Sequence, residues 1–111
     1  MGWWINKSRV VVMPNGERWA VPVLIIIEDR AKYMFKEHPD EFPTLGDAIK
    51  DTAEYFADDD NYQLHDWASN NMNWSDVAKY AFKVAKSKPI TEEEKQEAWV
   101  NGEAEVEKVS R

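Results

Sequence analysis

Cysteine is absent from the chain, which removes disulfide frameworks, thiolate zinc sites and thiol nucleophiles at once and makes a cytoplasmic setting the expected one. Glycine is scarce, with four residues in 111, and no Gly-rich phosphate loop, nucleophile elbow or paired-histidine zinc motif occurs. Long apolar runs are missing too. The longest, Val23 to Ile27, is far too short to cross a bilayer. The start Met1-Gly2-Trp3-Trp4-Ile5-Asn6 lacks the charged beginning and apolar stretch of a signal peptide, and Asn6 stands where a myristoylation signal wants Ser or Thr. In that setting the glycosylation-type triplets Asn6-Lys7-Ser8 and Asn73-Trp74-Ser75 read as chance matches. Positive charge is in deficit, with a formal net charge of −7. Direct binding to nucleic acid or to an anionic membrane is therefore not expected, because phosphate recognition needs clustered Lys and Arg.

What is present is apolar and aromatic mass. With 43% hydrophobic and 13% aromatic residues, six of them Trp, the chain can bury one core, and residues 1–111 read as a single domain. The acidity is local. Residues 40–66 carry nine acidic groups and one basic, whereas residues 1–39 sum to +2 and residues 67–111 to −1.

The β-branched run Arg9 to Met13, the turn Pro14-Asn15-Gly16-Glu17 and the run Arg18 to Val23 predict an antiparallel hairpin, with Asn-Gly at the turn because both residues tolerate positive φ. Pro22 should end the second strand. Apolar residues from Val23 to His38 fall at helical spacing, although Val23 to Ile27 could prolong the strand, and Pro39 stops the pattern. Thr44 is an N-cap with Asp47 at the third helical position, opening a helix that buries Leu45, Ala48, Ile49, Thr52, Ala53 and Phe56. Asp58-Asp59-Asp60 breaks it, and Asn61 to Ser69 read as a third helix burying Leu64, Trp67 and Ala68. Asn70 to Asn73 end that helix and start another. Residues 79–86 suit helix or strand, and a short helical turn followed by a third strand is the reading adopted, since a lone hairpin is marginal. Pro89-Ile90-Thr91 leads into a last helix with Thr91 and Glu94 in capping-box register, closing at Asn101-Gly102. The charged end, Glu103 to Arg111, is expected to fray. The fold class is α+β: a small antiparallel sheet, the hairpin plus a third strand, packed with three to four helices.

Candidate functional residues are few. Asp47, Asp51, Glu54 and Asp58 are spaced by four, three and four, so they share one helix face opposite Leu45, Ile49 and Phe56, and Asp59 and Asp60 extend it. Such a stripe is ordinarily a solvated face. Here Lys50 is the only base in the segment, although like charges at i,i+4 cost about 0.2–0.5 kcal/mol each and are usually interleaved with bases. That favours a surface meant for a basic partner. Asp58, Asp60, His65 and Asp66 invite a metal reading, but a calcium loop counted from Asp58 has Gln63 where Gly is needed and Ser69 where Glu is needed. No metal or cofactor is expected. His65 should lie at a helix surface and His38 at a helix end, where a cation is favoured. Trp67 and Trp74 read as buried and structural, while Trp3 and Trp4 are the expected exposed aromatic contact, a homodimer contact included.

Asp66-Trp67-Ala68, Asn70-Asn71-Met72-Asn73-Trp74-Ser75-Asp76-Val77 and Trp99-Val100-Asn101-Gly102-Glu103 together resemble a pattern in small proteins of tailed bacteriophages and prophages. The opening hairpin and Glu28-Asp29-Arg30-Ala31-Lys32-Tyr33 are similar as well. The group has no established activity, so no functional residue is carried over. The resemblance implies a phage accessory role, and by analogy inhibition of a host nuclease or defence complex by occupying its basic surface. Three functions follow in order: a non-enzymatic protein binding a basic host or phage partner through Asp47, Asp51, Glu54, Asp58, Asp59 and Asp60; an assembly component acting through Trp3 and Trp4; and a metal-assisted hydrolase built on Asp58, Asp60, His65 and Asp66.

Overall fold

The computed structural model describes residues 2–85 and 91–108. Met1, Pro89, Ile90 and the last three residues, on which parts of the sequence reading fell, lie outside them, as does residue 86 at the end of the stretch where helix and strand competed. Among the described residues, four strands and five helices follow one another: β1 (Lys7–Val12), β2 (Arg18–Pro22), α1 (Val23–Glu37), α2 (Leu45–Ala57), α3 (Tyr62–Asn71), α4 (Trp74–Val77), β3 (Phe82–Ala85), α5 (Glu92–Asn101) and β4 (Ala104–Lys108). Short 3₁₀ turns occupy Asp59–Asn61 and Ala78–Tyr80. The sheet is antiparallel with strand order β3-β2-β1-β4. The class is α+β, as expected.

The hairpin turn differs from a two-residue Asn-Gly turn. Met13 N–H donates to the Glu17 carbonyl at 2.7 Å and Gly16 N–H to the Met13 carbonyl at 2.9 Å. Pro14, Asn15 and Gly16 therefore form a three-residue loop, in which only Gly16 takes positive φ (84°). Pro14 presets the first turn residue and Gly16 supplies the left-handed one, the usual chemistry of that loop length. Pro22 ends β2 and serves as N-cap of α1, so Val23 to Ile27 are helical and do not prolong the strand. Thr44 caps α2 by accepting from Asp47 N–H at 3.1 Å, and the capping boxes Asn73/Asp76 and Thr91/Glu94 open α4 and α5. The competition between helix and strand resolves as a helical turn followed by β3.

One expectation is overturned. Where it is described, most of the charged end is strand: Ala104–Lys108 forms β4, paired with β1 from Lys7↔Lys108 to Val11↔Ala104. Its alternation explains why, since Ala104 and Val106 face the core while Glu105 and Glu107 face outward. Charge density concealed a period-two pattern with only two apolar members.

Register divides the sheet into two faces. Arg9, Val11, Trp19, Val21, Ala104 and Val106 share the inner face. Val11 and Val21 join Ile26, Ile27, Phe56, Leu64, Val77 and Trp99 in the main core, and Trp19, Ala104 and Val106 pack against it. On the outer face, Arg18 sits opposite Val12 and Glu107 opposite Ser8. Their ion pair therefore crosses the sheet diagonally over Val10, which is 2% exposed. A second, smaller core joins Ala31 of α1, Phe42 and Ala48 of α2. No helix among the described residues is long and apolar enough to cross a membrane.

Candidate functional site

The acidic stretch lies where helical periodicity puts it. Ala48, Thr52 and Phe56 are the buried line of α2, and Asp47, Glu54 and Asp58 are exposed on the opposite side. From Asp47 to Asp58 the row runs about 16 Å at 1.5 Å per residue. Among the described residues, no basic group comes within ion-pair distance of Asp47, Glu54, Asp58, Asp59 or Asp60.

Asp51 is the exception. Its Oδ2 accepts from Arg30 Nη1 at 3.2 Å, and the same nitrogen donates to Thr52 Oγ1 at 2.8 Å. Arg30, 9% exposed, also stacks over the Tyr55 ring at 4.4 Å. Asp51 thus helps to tie α1 to α2 through a buried guanidinium. Lys50 is not the only compensating base, because Arg30 arrives from another helix, a relation that spacing within one segment could not reveal.

The row ends in unusual backbone. Asp59 (φ 51°), Asp60 (φ 51°) and Asn61 (φ 64°) take left-handed conformations in succession. Asp and Asn tolerate that region better than other non-glycine residues, but usually as single residues. Asn61 offsets part of the cost: its Nδ2 donates to the Phe56 carbonyl at 2.8 Å, satisfying a free acceptor at the end of α2. Asp59 and Asp60 remain exposed in consequence.

The other singled-out residues are held differently. Trp3 and Trp4 are half-buried and pack against the main core, and the Trp3 indole N–H donates to the Ala53 carbonyl at 2.8 Å. This corrects the expectation of an exposed pair, since Trp3 ties the N-terminal segment to α2 and Trp4 packs against the main core. Trp74 is buried as expected, whereas Trp67 is only half-buried, with its indole N–H donating to Asp29 Oδ2 at 2.9 Å. His38 is the C-cap of α1.

His65 is not a simple surface residue. Its Nδ1 accepts from Arg9 Nε at 2.9 Å, and Arg9 also donates to the Trp99 carbonyl at 3.3 Å and to Ser69 Oγ at 3.2 Å while stacking 4.4 Å over the Trp99 ring. Burial, with the Arg9 charge second, pushes the imidazole down to about 4, and burial lowers the Arg9 guanidinium to about 10. With Nδ1 taken by Arg9, His65 joins no metal-competent cluster: among the described residues, no group of three His, Cys, Asp or Glu is placed to hold an ion. Asp58, Asp60, His65 and Asp66 are therefore not brought together as such a group. The sequence signal for Arg9 is its inward position in the alternation with Val11 and Met13, easily passed over because strand interiors seldom take a cation.

Comparison with protein families, with curated proteins and with solved structures returns no match.

Proposed function

We propose that the protein is a non-enzymatic binding protein whose α2 face and following turn, Asp47, Glu54, Asp58, Asp59 and Asp60, engage a basic surface on a host or phage protein. One observation carries the reading: five exposed carboxylates follow one another along α2 and its turn with no base within ion-pair distance among the described residues, Lys50 included. Like charges so placed repel one another, and a basic partner relieves that repulsion while gaining long-range steering. Two consecutive acids in left-handed backbone add support, because strain retained at a surface is characteristic of sites that serve something other than stability. The likeness to phage proteins supports an accessory role in which the basic partner is a nucleic-acid-binding defence factor or nuclease, occupied in place of its nucleic acid. The cytoplasm of the host cell is the setting this implies.

The test is capture from the native host with the tagged wild-type chain and with the variant Asp47→Asn, Glu54→Gln, Asp59→Asn, Asp60→Asn, washed at low and then high salt. Asn is compatible with left-handed backbone, so the variant keeps the fold. A basic protein retained only by the wild type and released by salt supports the reading. Equal capture by both chains excludes it.

A further inference from the structure

Two Asn-Gly steps occur in the chain, Asn15-Gly16 and Asn101-Gly102. Such a step carries its own reaction, because a glycine nitrogen has no Cβ beside it to block its approach to the preceding side chain. The nitrogen loses its proton and bonds to the Asn Cγ, the Cγ–Nδ2 bond breaks, and the departing amide takes up that proton and leaves as ammonia. Water then opens the cyclic imide at one of its two carbonyls, giving Asp or isoaspartate.

The fold restrains both steps in the same way but with unequal strength. At the hairpin, Asn15 Nδ2 donates to Glu17 Oε1 at 3.2 Å, Asn15 Oδ1 accepts from Glu17 N–H at 3.1 Å, and Gly16 N–H donates to the Met13 carbonyl at 2.9 Å. Glu17 is itself 2% exposed and paired with Lys83, so this clasp opens only when the hairpin tip does. At the end of α5, Asn101 Nδ2 donates to Glu97 Oε1 at 2.9 Å and Gly102 N–H donates to the Ala98 carbonyl at 2.9 Å. Glu97, Asn101 and Gly102 are all exposed, and both bonds lie in the last helical turn, where helices fray.

Nor can the junction use a bulkier, less reactive neighbour. A Cβ on Gly102 would lie 2.5 Å from the Ala98 carbonyl oxygen and 3.0 Å from Ala98 Cα, so the turn from α5 into β4 requires glycine. The fold thereby sets an unshielded nitrogen after an asparagine at an exposed helix end. We propose that Asn101-Gly102 is a self-modification site, deamidating ahead of Asn15-Gly16, and that its product loosens β4. Deamidation replaces the donor that holds Glu97 with a second carboxylate one turn away, and sets negative charge against the free carbonyls at the C-terminus of α5. The isoaspartyl form also lengthens the backbone by a methylene just ahead of β4, where the Glu103 carbonyl accepts from Val12 N–H at 3.0 Å and Ala104 pairs with Val11. That insertion works against the register of the β1–β4 ladder.

The test is peptide mapping by mass spectrometry of the whole chain held in warm, mildly alkaline buffer, with isoaspartate distinguished from Asp by fragmentation. Conversion at Asn101 ahead of Asn15 is expected in the folded chain, and the two should convert at similar rates in denaturant, where the restraints are gone. Glu97→Ala removes the acceptor from an exposed position and should speed conversion at Asn101 about twofold, the kinetic equivalent of the roughly 0.4 kcal/mol that such a helix pair contributes. Glu97→Gln, whose side-chain oxygen still accepts from Asn101, should convert at the wild-type rate. In the aged, isoaspartate-bearing fraction, amide exchange across Ala104–Lys108 should be about tenfold faster than in fresh protein, equivalent to roughly 1.4 kcal/mol of local stability. Earlier conversion at Asn15, an order that persists in denaturant, equal rates at Asn101 in the Glu97→Ala and wild-type chains, or unchanged exchange in β4 of the aged fraction would each overturn the proposal.

Discussion

Arg9 Nε donates to His65 Nδ1 at 2.9 Å, so a buried cation rests on a neutral imidazole. Among the described residues no carboxylate pairs with Arg9. Its charge is carried by neutral acceptors and by the face of Trp99. This works only while His65 is unprotonated, because a second positive charge would replace the acceptor with a donor and face the guanidinium directly.

That contact predicts acid lability. His65 titrates near 6.5 in the unfolded chain and near 4 in the fold, so between those values the unfolded chain holds more protons and stability rises with pH. Lowering the pH from 6.5 to 4 should cost about 1–2 kcal/mol, a figure reduced for the half-exposed ring. Below that window His65 adds nothing further. The buried carboxylate of Glu17, held down chiefly by its hydrogen bond with Lys83, takes over: its contribution is present above 4.5 and is lost as pH falls through its lower folded value. Denaturant melts across pH would show the upper slope, and His65→Gln, which keeps an acceptor without a titration in this range, should flatten it. An unchanged slope in that variant would assign the acid sensitivity elsewhere.

Strand β4 predicts a second outcome. A chain ending at Gly102 loses the β1–β4 ladder and uncovers the inner face around Arg9 and Val11. The expected loss is at least about 2–3 kcal/mol, from roughly one buried valine together with edge hydrogen bonds. Equilibrium unfolding of the truncated chain measures it, and a change within about 0.5 kcal/mol, normal for a surface change, would show that the strand is ornamental.

The left-handed turn predicts a trade. Asp60→Gly places the residue best suited to positive φ at a position with φ 51° and ψ 37°, and should raise stability by about 0.5–1 kcal/mol. The same change removes a carboxylate from the proposed surface. Higher melting temperature with weaker partner capture is the expected pair of results, the pattern of a residue kept for binding at a cost in stability.

Much of the fold was legible because local chemistry agreed with the final structure. Thr44 and Thr91 cap helices as their sequence neighbours require, Pro22 ends β2, and the Asp58–Asp60 break falls between α2 and α3. What stayed hidden depends on contacts far apart in sequence. Arg30 reaches Asp51 from another helix, Trp3 reaches the backbone of Ala53, and β4 becomes a strand because β1 offers it an edge. The first two leave no mark within their own windows, and β4 leaves only the short alternation of Ala104 and Val106. The acidic row was visible from spacing, but the removal of Asp51 from it was not.

If the uncompensated carboxylates of α2 and the turn after it hold the partner, their removal must change both affinity and its response to salt. The decisive measurement is the dissociation constant of the captured partner across a salt series, for the wild type and for the chain carrying Asp47→Asn, Glu54→Gln, Asp59→Asn and Asp60→Asn. Binding should weaken with salt in the wild type, and the variant should bind at least about tenfold more weakly with a shallower salt dependence. Equal affinity and equal salt slope in the two chains would contradict that role and return the row to a solvated helix face.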